Sequence, residues 1–411
     1  MVNHRRHARS RGGGLDMTRI KVAHITTIDL SLRYLLEHQL QSLQEAGFEV
    51  VGVSAPGGDV DYLRALGIPH MAVAFTRRFS PLADLKSLWR LYRLMRRERF
   101  TIVHTHTPKP GLLGQLAARL ARVPIVVNTL HGFYFHDTMK PAARRFYITL
   151  EKIAARCSDS ILSQNEEDIQ TAIQQNICRP EKIKYLGNGI DLSQFDPDRF
   201  SETDVNERRQ RLGIPAAAPV VGFVGRLAAR RKGFLDFLQA GQHIARRLPA
   251  VRFLIVGAAD TGKQDAVDPS VVNEYGLADH CLLLGSQPND ALPILYRLMH
   301  VLVLPSLLEG VPRVVMEAAA MGVPAVVTDV RGNREAVDRG RSGVLVPYGA
   351  ADALAAAILD LLQNPQKAAQ MGRVGVEIAA DRFDERVVFD RVKAEYRRLL
   401  KRKGMVDSYE S

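Results

Sequence analysis

Two glutamates eight positions apart, Glu309 and Glu317, sit in a stretch where an apolar run, a turn and a helix-forming segment follow one another closely. The run 301–304 reads as a buried parallel strand, Pro305 and Ser306 leave it, and Gly310 frees the backbone. Pro312 stands where a helix favours its first residue, and the helix runs on through Met316 and Glu317 toward Gly322. Gly310, Val311, Pro312, Arg313 and Val314 thus form the lip of a helix N-terminus, whose free amides attract anions. A carboxylate only accepts hydrogen bonds, so beside a phosphate its natural partners are sugar hydroxyls. The competing reading makes Glu309 an ordinary helix-start charge and Glu317 part of a solvated face.

Cations complete the pattern. Arg226 and Lys232 lie in the loop that follows the apolar strand 220–225, ahead of Gly233. Arginine offers a planar fork to phosphate oxygens and lysine a point charge. Two fixed cations and a helix N-terminus can hold a diphosphate without a metal. No Asp/Glu group has metal-binding spacing, so neither metal nor resident cofactor is expected. Charge growing on a departing diphosphate would be stabilised as an oxyanion is. A nucleotide-sugar donor fits, with its ribose at Glu317, its diphosphate at the amides near Arg313 and Val314, and its sugar hydroxyls at Glu309. His131 follows the strand 125–130 and precedes Gly132, so it can project into a cleft and face the sugar from the other domain. A lone histidine there is also commonly structural. Ligands of open α/β sheets bind at the carboxyl ends of strands, which makes Lys109, in the loop 106–111, a candidate for an anionic group. The acceptor would enter on that side, near Lys109 and Thr27. The plainer alternative treats Arg230, Arg231 and Lys232 as a solvated basic loop.

The elements that must position these groups alternate along the chain. Strands are expected at 19–25, 49–53, 101–105, 125–130, 160–163 and 182–186, separated by helical spacing at 33–46, 60–66, 82–97, 112–120 and 141–157. A second series follows, with strands at 220–225, 253–257, 281–285, 301–304, 325–328 and 343–346 and a basic helix at 384–402. Such alternation implies α/β domains with parallel sheets covered on both faces. A disordered basic leader is expected at 1–16, a first Rossmann-like domain at 17–198, a second at 199–380 and a terminal helix within 381–403.

At 411 residues the chain suits two or three domains by the rule of about 100–200 residues each. Its 56 Lys and Arg outnumber 44 Asp and Glu, which fits phosphorylated substrates or an anionic membrane. Nucleic-acid binding would rest on charge alone. Cys157, Cys178 and Cys281 lack metal spacing and read as free thiols of a reducing compartment. No run reaches the roughly 18–20 apolar residues of a membrane span. The segment 82–97 is a basic amphipathic helix with an aromatic, which can lie on a membrane but more often packs its apolar stripe (Leu85, Leu88, Trp89, Tyr92, Met95) on its own sheet.

Gly225-Arg226-Leu227, Lys232-Gly233 and the segment from Glu309 to Glu317 together resemble the family 4 glycosyltransferases. His104-Thr105-His106-Thr107-Pro108-Lys109, Leu130-His131-Gly132-Phe133 and Leu186-Gly187-Asn188-Gly189 are similar to the branch that builds bacterial surface polysaccharides and lipid-linked glycans. The resemblance implies a GT-B architecture: two Rossmann-like domains facing a central cleft, with a last helix crossing back to the first. It also implies retaining, metal-independent transfer from a nucleotide-sugar, usually a UDP-sugar, to a lipid-linked or glycan acceptor. The enzyme would be cytoplasmic and peripheral on the inner membrane surface. Arg226 and Lys232 would hold the diphosphate, Glu309 the donor sugar, Glu317 the ribose and His131 the sugar's hydroxymethyl end. Where many members carry paired glycines after the first strand, this chain has Thr26 to Ser31. Its Arg226–Lys232 spacing is one residue longer than the family pattern, which leaves Arg231 as an alternative phosphate ligand. Other readings are a nucleotide-sugar epimerase of similar architecture and a dehydrogenase or non-catalytic nucleotide-binding module. The absence of G-x-G-x-x-G after the first strand argues against dinucleotide binding.

Overall fold

A computed structural model of the chain describes residues 20–76, 80–136, 139–260, 262–263 and 265–406. The leader expected at 1–16 lies outside them. The first sheet has seven strands: β1 (Lys21–Ile28), β2 (Glu49–Ala55), β3 (His70–Ala72), β4 (Ile102–Thr105), β5 (Ile125–Leu130), β6 (Ser160–Ser163) and β7 (Ile183–Tyr185). Their order is β3-β2-β1-β4-β5-β6-β7. The second has six: β8 (Val220–Val224), β9 (Arg252–Val256), β10 (Cys281–Leu283), β11 (Val301–Leu304), β12 (Ala325–Thr328) and β13 (Gly343–Val346), ordered β10-β9-β8-β11-β12-β13. The pairings of β1 with β2 and β4, and of β8 with β9 and β11, are parallel. In each sheet the order reverses beside the first strand, between β1 and β4 and between β8 and β11. Open α/β sheets place their ligands at such switch points, outside the carboxyl ends of the strands.

By density of contacts the chain forms two compact units: Met1–Asn128, Arg156–Ser160 and Val392–Ser411 make one, and Thr129–Ala155 with Ile161–Arg391 the other. In the first unit, Ala23, Ile25, Val51, Val53 and Val103 form a core with Leu91 and Met95 of the helix Pro81–Glu98 and Ala117 and Ala118 of the helix Pro108–Ala121. In the second, alternate strand residues serve two cores. Val220, Val224, Leu254, Leu302 and Leu304 face Met316 and Ala320, whereas Val221, Phe223, Phe253, Val301 and Val303 face Phe234, Phe237 and Ile358. Both sheet faces are therefore covered, which is why these strands are continuous apolar runs rather than alternating ones.

Four local features differ from expectation. β3 is an added edge strand of three residues, too short to show a pattern. The helix expected from 112 begins at Pro108, because proline fits a first helical turn that has no use for its missing N–H. Pro312 caps rather than begins its helix, which spans Arg313–Ala320. The helix Pro81–Glu98 is rotated from the expected stripe: Asp84, Ser87, Leu91 and Met95 face inward, while Leu85 and Trp89 face outward. Among the described residues, no helix is long and apolar enough to cross a membrane.

Candidate active site

The carboxyl ends of β8 and β11 carry the residues singled out for donor chemistry. Gly225 leaves β8 at φ +150° and Gly233 starts the next helix at φ +67°, where a side chain would be strained. A Cβ on Gly233 would also stand 1.9 Å from the Pro305 carbonyl oxygen, so the two exit loops touch backbone to backbone. The loop between these glycines is held by Asp265, whose carboxylate accepts from the backbone N–H groups of Arg230 and Arg231 at 3.0 and 2.8 Å. From this frame Lys232 Nζ donates to Glu309 Oε1 at 2.6 Å, with both side chains largely buried. Arg226 makes a longer contact with Asp260, 3.4 Å, and is about one-third exposed. The guanidinium of Arg231, the alternative phosphate ligand, instead faces the ring of Tyr134 at 5.9 Å. Lys232 is thus the cation that the loop brings to Glu309.

Glu309 and Gly310 are held between two other glycines. A Cβ on Gly132 would lie 2.9 Å from Gly310 Cα, and one on Gly332 would lie 1.6 Å from the Gly310 carbonyl oxygen. Gly310 itself would clash with the His131 carbonyl oxygen at 2.4 Å. No spacing rule marks Gly332, 22 residues beyond Gly310, as part of this packing. His131 stands beside it with its side chain hydrogen-bonded to Gln164; burial lowers its pKa to about 4, against the raising effect of that bond. The imidazole is therefore neutral at physiological pH. Val311 and Pro312 are buried at the lip, and Arg313 and Val314 open the helix half-buried. Glu317 is buried, and its Oε2 accepts from the Tyr296 hydroxyl at 2.7 Å. Arg313 Nε lies 3.8 Å from Oε1. Burial raises the Glu317 pKa, opposed by Arg313 and the Tyr296 bond, and the side chain lies inside the fold rather than on a solvated face. Tyr296 is a positioning group that the sequence did not flag, since an aromatic at helical spacing looks like core.

The first switch point is furnished differently. Thr27 and Thr107 share a hydrogen bond between hydroxyls, 3.0 Å, and Thr107 has φ +63° and ψ +154°, a region that ordinarily belongs to glycine. Lys109 donates to Asp84 and Thr76, so its ammonium already has an acidic partner. Beneath this loop, His24 Nδ1 lies 3.0 Å from His106 Nε2, and the Tyr396 hydroxyl lies 2.6 Å from His104 Nδ1 and 3.3 Å from His24 Nε2. The ring nitrogens of His24, His104 and His106 come within 4.8 Å of one another. The His104 and His106 rings are stacked at 4.3 Å. We read the cluster as a buried hydrogen-bonded network, with the His24 pKa lowered to about 3 by burial.

Two parallel α/β sheets, each with a loaded switch point, define a two-domain enzyme of the GT-B class. The family model for glycosyl transferases group 1 matches residues 204–377, and that for the glycosyl transferase 4-like domain matches 33–189. An Escherichia coli protein named UDP-Gal:alpha-D-GlcNAc-diphosphoundecaprenol alpha-1,3-galactosyltransferase is 33% identical over 351 residues, 83% of this chain and 88% of its own. The Staphylococcus aureus capsular polysaccharide biosynthesis glycosyltransferase CapM is 28% identical, covering 93% of this chain and 98% of its own. Anabaena HepE, solved in complex with UDP and glucose, superposes with a TM-score of 0.77 at 23% identity over 92% of this chain and 99% of its own. The chain belongs to the group 1, GT4-type glycosyltransferases.

Proposed function

We propose that this enzyme transfers a hexosyl group, with retention and without a metal, from a UDP-sugar to a lipid-linked acceptor during cell-surface glycan synthesis, at the cytoplasmic face of the membrane. The observation that carries this reading is the Lys232–Glu309 pair, 2.6 Å apart at the second switch point. Lys232 has further N–H groups to offer a diphosphate, and Glu309 a second oxygen for a sugar hydroxyl. Arg226 and the amides at Arg313 and Val314 add positive potential where the leaving group departs. Glu317 Oε1 remains to accept from the ribose, and His131 stands on the sugar's side. The acceptor, on this reading, approaches by Thr27 and Lys109. The bond from the anomeric carbon to the UDP oxygen breaks, and one from the acceptor oxygen forms on the same face. The acceptor's proton passes to a phosphate oxygen of the departing UDP. No second carboxylate is assigned opposite Glu309, so the leaving diphosphate is the base. The name of the Escherichia coli relative supports a UDP-hexose donor and a polyprenyl-diphosphate-linked sugar as acceptor.

The test incubates purified enzyme with a panel of UDP-sugars and a GlcNAc-diphospho-polyprenol, with and without EDTA. We expect UDP release coupled to an α-linked product that EDTA leaves unchanged. Activity lost in EDTA and restored by magnesium, an inverted product, or interconversion of the UDP-sugar without transfer would overturn the reading.

A further inference from the structure

His131 and Gln164 leave neighbouring strands, the one directly after β5 and the other directly after β6. The backbone N–H of Gln164 donates to the Leu130 carbonyl at 3.3 Å, which ties the two exits together. On its other side Asn165 caps the helix Glu166–Gln174, its side-chain oxygen accepting from the Asp168 N–H at 2.8 Å. Gln164 is buried between these anchors. Its side-chain oxygen also lies against the turn at Glu309 and Gly310: a Cβ on Gly310 would stand 3.3 Å from Oε1. The bond between Gln164 and His131 favours the protonated ring, so the imidazole donates and Oε1 accepts. A carboxamide oxygen is a neutral acceptor, so it fixes the donating nitrogen without drawing a second proton onto the ring. The other nitrogen of a neutral imidazole then carries a lone pair, and only a donor can satisfy it.

We propose that Gln164 is a positioning residue that holds His131 as a hydrogen-bond acceptor toward the donor sugar, and thereby selects sugars with a hydroxyl at the hydroxymethyl end over those with a carboxylate there. This rests on the reading that His131 faces the donor sugar. A hexose hydroxyl can donate to the lone pair. A methyl group leaves it unpaired, and a carboxylate sets negative charge against it where burial already disfavours a proton on the ring. A site built to bond a hydroxyl rejects the analogue without one, because its own polar group then goes unsatisfied.

The test measures donor hydrolysis by the full chain with UDP-glucose, UDP-galactose and their 2-acetamido forms, then with the 6-deoxy and 6-carboxylate counterparts of the fastest. We expect kcat/KM to fall about tenfold for the 6-deoxy donor and at least about 100-fold for the uronate. Gln164→Met keeps the length of the side chain and removes the acceptor. It should lose about tenfold on the hexose and little on the 6-deoxy donor, so the preference between them collapses. Gln164→Glu sets a carboxylate on the ring, which favours the imidazolium, and should shrink the bias against the uronate by about tenfold. Both variants should bind UDP alone as the unmodified chain does, which shows the fold and the nucleotide site intact. His131→Ala separates the two steps of the argument. An equal loss on the hexose and its 6-deoxy form would remove His131 from the sugar, and with it the reading on which this one rests. A selective loss there, with Gln164→Met losing equally on both donors, would overturn the role of Gln164 alone. A uronate turned over as fast as the hexoses, or an unchanged uronate bias in Gln164→Glu, would overturn it too.

Discussion

The two switch points share a strand order and differ in what fills them. Beside β1 and β4 the chain places His24, His104 and His106, sealed by Tyr396, and a lysine already neutralised by Asp84. Beside β8 and β11 it places glycines, a cation and a carboxylate. In the first, side chains are hydrogen-bonded to one another. In the second, the missing side chains let backbones approach, and the charged pair keeps spare donors and acceptors for a ligand. The same topology thus yields one crevice whose buried polar groups pair with one another and one where glycines bring backbones together beside an ion pair.

The largest effect that would break this contrast is on turnover. Lys232→Ala and Glu309→Ala should each lower transfer about 100-fold, the scale of losing one group that stabilises transition-state charge. Each also breaks a largely buried pair, so melting temperatures should fall as well and rates are compared well below them; near-normal rates in both would remove the assignment. At the first switch point the expected loss is of stability. Lys109→Met removes the cation beside the Asp84 carboxylate, which keeps only the Thr76 hydroxyl and the Ser80 N–H, and should cost about 3 kcal/mol in denaturant unfolding, most of it restored by Asp84→Asn in the same chain. The smallest effect sharpens the picture of the histidine network. Folding holds the His24 pKa near 3 against 6.5 for a free histidine. The unfolded chain then binds the extra proton, so this group's stabilisation is lost as pH falls from about 6.5 toward 3. Glu151, raised to about 7 by burial and the nearby Asp168 charge, acts in the opposite sense between 4.5 and 7, so variants must be compared. His24→Asn should flatten the fall of stability between pH 6 and 4 by up to about 1.4 kcal/mol per pH unit. An unchanged slope would show that His24 is protonated in the folded chain.

Much of this was legible in the residues because it is local. The apolar strands of both sheets, the glycine turns around Arg226 to Gly233, and the segment from Glu309 to Glu317 follow from periodicity and turn chemistry over a few residues each. So did the family, since its motifs are short. What the chain could not disclose depends on partners distant in sequence. Tyr296 lies 21 residues from Glu317, Tyr396 lies 292 from His104, and Gly332 reaches the Gly310 backbone only once two loops are packed. The outward turn of Leu85 and Trp89 was equally hidden. A helix has one apolar stripe by composition, but which stripe faces the sheet depends on the fit of Leu91 and Met95 into the core and on the Asp84–Lys109 pair. Sequence alone thus determined the order of elements and the kinds of groups at strand ends, both set by nearest neighbours along the backbone. Tertiary structure alone decided which of those groups are spent on one another and which are left for a ligand, because burial and pairing belong to packed surfaces.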